Sequence, residues 1–130
     1  MVFNILIDNT DDHEKNHALL RQPDGRYLLA PAFDVLPTAQ GLGHQMLKVG
    51  ARGNESSLAN AMSSCAQFGL KVDAAHGVIA EICAGVGRWK ARFRKAGVSG
   101  DDIDLLARFI DRDDLREQRE QRAQAVRLAR

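Results

Sequence analysis

The chain has 130 residues and a formal net charge of +1, with acids and bases interspersed along it. That length bounds it to one domain, or a piece of one, large enough to form a hydrophobic core without disulfide or metal staples. No basic block points to nucleic acid and no acidic tail to a solvating segment. No apolar run approaches the roughly eighteen residues of a membrane helix.

Val2 to Ile7 are almost all apolar, and periodicity assigns such a run to neither helix nor strand. The N-terminus lacks the basic and long apolar regions of a signal peptide. Residues 8–16 are polar and acid-rich and read as a loop. Pro23-Asp24-Gly25 is a turn, because proline presets φ and glycine accepts positive φ. The short apolar stretches on either side, 18–20 and 27–30, predict a β-hairpin. Residues 37–54 contain Gly41, Gly43, Gly50 and Gly53 and form a long connection, with a candidate strand at Gln45–Val49.

After residue 55 the pattern becomes helical. Leu58, Met62, Cys65 and Phe68 mark an amphipathic helix capped by Ser56 or Ser57 and stopped at Gly69. Apolar residues from Val72 through Ile79, Cys83, Val86 and Trp89 to Phe93 recur at three and four, predicting one long helix over roughly 73–95. Ser99, Asp101 or Asp102 starts the next helix, with Ile103, Leu105, Leu106, Phe109 and Ile110 as its core face. Asp113 to Arg130 interleaves arginines with acids, the pattern of a solvated helix laced with ion pairs. Cys65 and Cys83 fall within apolar helical patterns, which favours buried free thiols and a reducing compartment. Trp89 reads as a core residue, and His44 and His76 have no partners at ligand spacing.

The chemistry concentrates in the N-terminal loop. Asp11 and Asn16 stand five residues apart, and Asp34 follows Phe33 eighteen residues after Asn16. Phosphoryl transfer needs this trio: a carboxylate to take the hydroxyl proton, and an amide and a second carboxylate to hold magnesium on the triphosphate. Asp11 is the candidate base, Asn16 and Asp34 the candidate metal ligands. His13 and Lys15, with Asn16, are candidate phosphate contacts. Magnesium suits oxygen ligands that leave room for waters and substrate phosphates. The same stretch, His13-Glu14-Lys15-Asn16-His17, also spells the H-E-x-x-H of zinc hydrolases. That reading demands an α-helix through both histidines and a third ligand. The approach, Asp8 to Asp12, is made of loop and cap formers, and only Glu55 offers itself as a third ligand. No zinc is therefore expected.

Phe3-Asn4-Ile5-Leu6-Ile7-Asp8-Asn9-Thr10-Asp11-Asp12-His13-Glu14-Lys15-Asn16, followed by Leu29-Ala30-Pro31-Ala32-Phe33-Asp34-Val35-Leu36-Pro37, resembles the catalytic core of HipA-like serine/threonine kinases. These are the toxin half of bacterial toxin–antitoxin pairs. The likeness extends to Arg88-Trp89-Lys90 and Ala96-Gly97-Val98. Asp8 stands where the family usually has glycine, and Phe33 where it often has tyrosine. The resemblance implies a mainly α fold, the helical C-terminal lobe of a protein-kinase-like enzyme with a small β-hairpin near its N-terminus. Residues 1–37 would carry the catalytic loop, hairpin and metal-binding loop, and 55–130 the helical bundle. It also implies a cytoplasmic enzyme with ATP and magnesium as cofactors and a protein substrate of the aminoacyl-tRNA synthetase class. A helix-turn-helix antitoxin would be the partner, with DNA touched only through that complex.

Such kinases grip the nucleotide with a glycine-rich loop and a lysine on a preceding lobe, and neither pattern occurs in these 130 residues. The chain by itself is therefore expected to be inactive. It is also expected to form a two-fold homodimer through an apolar edge at Val2, Phe3, Ile5, Leu6 and Ile7. The alternative is a non-catalytic remnant that binds a partner or itself.

Overall fold

The computed structural model describes the backbone of residues 1–128 and the side chains of residues 1–122. The ambiguous first run folds as a helix, α1 (Val2–Leu6), which satisfies its own backbone and needs no neighbouring strand. Ile5 and Leu6 are completely buried and Ile7 nearly so. This corrects the expected apolar edge: of that set only Phe3 is exposed, because the rest of the run sits in the chain's own core.

The end of α1 sets up the functional loop. Asp8 N–H bonds Ile5 O and Asn9 N–H bonds Asn4 O, a paired closure that places Asp8 in the left-handed region at φ 58°. Glycine suits that position best. The aspartate there is held instead by its side chain, which accepts from Gly41 N–H at 3.0 Å and pairs with Arg112 at 3.3 Å.

The hairpin forms as expected, with β1 (Leu19–Arg21) antiparallel to β2 (Tyr27–Leu29) and Leu20 opposite Leu28. The strand expected at Gln45–Val49 does not form. Bends at Met46 and Leu47 interrupt the extended run, leaving two isolated bridges, His44 to Glu55 and Gly50 to Gly53. Asn60 holds this segment from within: its Nδ2 donates to Gly53 O and Glu55 O, and its Oδ1 accepts from Arg52 N–H.

Ser57 caps α2 (Leu58–Met62), its hydroxyl accepting from Asn60 N–H. The helix expected to run to Phe68 is shorter. A 3-10 turn covers Cys65–Phe68, and Gly69 closes it in the left-handed conformation. The long helix expected over 73–95 is two helices, α3 (Val72–Val86) and α4 (Trp89–Lys95). At the break Arg88 N–H bonds Gly85 O, three residues back, where the α pattern needs four. The change of direction carries Trp89 into the core, 6% exposed, with Phe93 packed edge-on against it.

Ser99 caps α5 (Gly100–Ile110). On this helix Ile103 and Ile110 are buried as expected, but Leu105 is exposed, as are Val72 and Val78 on α3. The last helix, α6 (Asp113–Leu128), packs along α3 and touches α1. It is not wholly solvated: Leu115 is 2% exposed and Arg119 7%. Ala129 and Arg130 lie outside the described residues. Ile5, Leu6, Leu58, Ile79, Trp89 and Ile103 belong to one hydrophobic core drawn from α1 to α5. The architecture is mainly α with a small N-terminal hairpin.

Candidate functional site

Residues 9–17 leave the buried end of α1 and return to the hairpin, so the core fixes one end of the loop and β1 the other. Thr10 is pinned by Thr38: the hydroxyls lie 2.7 Å apart, and Thr10 N–H donates to Thr38 Oγ1. Thr38 in turn donates to Asp8 O. The loop therefore reaches across to the segment that follows Asp34.

Within it Glu14–Asn16 form one 3-10 turn, flanked by His13 and His17 in extended conformation. The two histidines do not share an α-helical face, so the geometry that H-E-x-x-H chemistry requires is not present. His17 Nε2 instead lies 3.0 Å from Asp12 Oδ1. Among the described residues no cluster of three or more His, Cys, Asp or Glu could hold a metal.

The predicted site residues fall as follows. Asp11 is exposed, and its carboxylate has no hydrogen-bond partner among the described residues. Its carbonyl accepts from Asn16 Nδ2 at 3.3 Å. With the amide nitrogen so engaged, Asn16 Oδ1 is left as a free acceptor. His13 is half-buried and Lys15 exposed. Asp34 is exposed and left-handed at φ 54°. Aspartate tolerates that region better than most residues, and such conformations gather at functional sites. Asn16 and His17 share a cavity of about 390 Å³ with Ala30, Phe33 and Val35. The structure thus brings the loop of Asn16 to the segment that flanks Asp34, while the Asp11 and Asp34 side chains lie outside the cavity lining.

A family model described as the HipA-like C-terminal domain matches residues 1–89. The chain belongs to that family. No curated protein and no solved structure matches it. The HipA-like match takes in the loop, the hairpin and Asp34, and it ends at Trp89. The helices beyond it complete the same core: α6 lies against α3 and α1, and Arg112 reaches back to Asp8.

Two acidic residues of this HipA-like domain stand out only in the fold. Asp8 and Asp12, which read in the sequence as a solvated acidic loop, are 3% and 7% exposed. Asp12 Oδ2 accepts from Asn4 Nδ2 at 2.7 Å, and Asn4 Oδ1 accepts from Asn9 Nδ2 at 3.4 Å. His17 completes the set from the cavity side. The available signal was Asn4, a lone amide in an otherwise apolar run, since a buried polar side chain must find a partner.

At the far end of the core, Asp111 accepts from Trp89 Nε1 at 3.0 Å and pairs with Lys90 and Arg119. Burial by itself would raise its pKa. The hydrogen bonds from Lys90 and Trp89 and the nearby cations outweigh burial and hold it below the ordinary carboxylate value. Burial pushes the Cys83 thiol up, against the opposing charges of Arg119 and Arg122.

Proposed function

We propose that this chain supplies the catalytic and metal-binding loops of an ATP- and magnesium-dependent serine/threonine protein kinase of the toxin–antitoxin type. The observation that carries the reading is the Asn16 side chain. Its amide nitrogen is tied to the Asp11 carbonyl, which leaves its oxygen free beside the cavity wall formed by Phe33 and Val35. Asn16 Oδ1 and the Asp34 carboxylate are oxygen donors of the kind magnesium prefers. Bound there, magnesium would neutralise charge on the triphosphate. The Asp11 carboxylate, exposed and unpartnered, takes the proton of the attacking hydroxyl. His13 and Lys15, on the same loop, would supply donors to phosphate oxygens.

A cytoplasmic location, a protein substrate of the aminoacyl-tRNA synthetase class and a helix-turn-helix antitoxin belong to the same proposal, supported by the HipA-like family match. Phosphoryl transfer depends on positioning, so turnover is expected where this chain works with a nucleotide-gripping lobe. The chain alone is expected to bind magnesium or manganese weakly without turning over.

The test is radiolabelled phosphate transfer by a protein that joins this chain to such a lobe. Asp11→Ala should lower turnover roughly a hundred- to ten-thousand-fold while nucleotide still binds. Asp34→Ala should weaken the metal–nucleotide complex itself. Near-normal turnover by Asp11→Ala would remove the base from the scheme.

The hairpin favours a second reading, self-association without catalysis. Leu19, Leu20, Tyr27, Leu28 and Leu29 are all 49–68% exposed, so the ribbon is apolar on both faces. Two-stranded ribbons of this kind are marginal in water unless something packs against them. Sedimentation of the chain at micromolar concentration separates the cases: a dimer lost on Leu29→Ser favours this reading, and a monomer counts against it.

A further inference from the structure

We infer that Asp12 and His17 form a brace, anchored by Asn4, that positions Asp11 and Asn16; the inference rests on the function proposed above. The brace residues are the immediate chain neighbours of the two they would position. Asp12 follows Asp11 and His17 follows Asn16, so the contact closes the loop at both of its working residues. The backbone does little of this itself, because a single three-residue 3-10 turn lies between extended His13 and His17.

Both oxygens of Asp12 are taken. Oδ2 accepts from Asn4 Nδ2 at 2.7 Å, and Oδ1 lies 3.0 Å from His17 Nε2. Asn4 stands on α1 beside the core residues Ile5 and Leu6 and is 8% exposed. The chain of contacts therefore runs from the core, through Asp12, to an imidazole that borders the same cavity as Asn16. An ordinary surface pair would hold little, since exposed ion pairs contribute almost nothing. This carboxylate is only 10% exposed, and without His17 one of its oxygens loses its partner inside the protein. The loop then gains by rearranging to rehydrate it, and the Asn16-to-Asp11 bond is the adjoining contact that gives way. The equivalent in metal enzymes is the partner that orients a ligand without touching the metal.

The experiment uses the whole chain, isotope-labelled, with manganese as probe. In the parent protein the Asn16 side-chain amide should resonate away from the position of a free amide. His17→Leu should return it to the free position and weaken manganese binding roughly ten- to a hundred-fold, with the helical circular dichroism unchanged. His17→Gln, whose amide can still donate to Asp12, should restore both readouts. If His17→Leu fails to fold, Asn4→Ser loosens Asp12 from the inside and should move the same resonance. An Asn16 amide unmoved by these changes overturns the brace, as does manganese affinity within twofold of the parent in His17→Leu. A parent protein that binds no manganese would refute the metal site proposed above. The brace would then be decided by the amide alone, supported if it moves and overturned if it does not.

Discussion

Arg119→Met should cost the fold about 3 kcal/mol. The arginine is 7% exposed, and its guanidinium makes three contacts: Ile110 O at 2.6 Å, Leu6 O at 3.4 Å and Asp111 Oδ1 at 2.8 Å. Methionine keeps most of the apolar stem and removes the charge. Hydrogen bonds to charged groups are each worth roughly 1.5–3 kcal/mol net, and the long bond to Leu6 falls below that range. Asp111 is not stranded, because Lys90 and Trp89 still hold it. The expected loss therefore sits at the lower end of the roughly 3–5 kcal/mol for breaking a buried pair. For a domain of this size that lowers the melting temperature by roughly 10 °C. Urea unfolding followed by circular dichroism gives the free energy. The single tryptophan gives a local readout, since Trp89 Nε1 bonds the same Asp111 oxygen as Arg119. A loss under about 1 kcal/mol would show that α6 is the solvated helix its composition suggests, and that the buried arginine contributes nothing net.

Gly50→Ala should destabilise severely, because a Cβ there would collide with Asn60 O and come within 2.6 Å of Asn60 Oδ1 and Ser63 Oγ. Gly77→Ala, in the middle of α3 with nothing within 4 Å, should instead stabilise by up to about 1 kcal/mol; thermal melts of the two variants should move in opposite directions. Asp111 has a folded pKa below its ordinary value of 3.8, so its contribution is complete above that value and is lost as pH falls through the folded one. Stability measured between about pH 5 and pH 2 should fall less steeply in Asp111→Asn than in the parent; parallel curves would contradict the assignment. With its pKa raised by burial, Cys83 should react with thiol reagents at mildly alkaline pH only on unfolding, while half-buried Cys65 labels in the folded protein. Equal labelling rates would contradict this.

The sequence determined what local chemistry controls. Pro23-Asp24-Gly25 specified the hairpin turn, Ser99 was among the named caps, and the three-and-four spacing marked the helical half. The order of Asp11, Asn16 and Asp34 pointed to the chemistry proposed above, because residue type and spacing are written directly in the chain. The tertiary structure decided which polar groups leave water. Asp12 and Arg119 look like ordinary charged residues in the sequence, yet both are buried, because Asn4, His17, Asp111 and two backbone carbonyls happen to meet them in space. It also decided that the long apolar stripe breaks at Gly87-Arg88, so that Trp89 can reach Asp111, and that Val2–Leu6 coil instead of extending. Periodicity records which residues are apolar. Whether a helix bends, or a charge is buried, depends on partners tens of residues away, and such partners become neighbours only when the core closes.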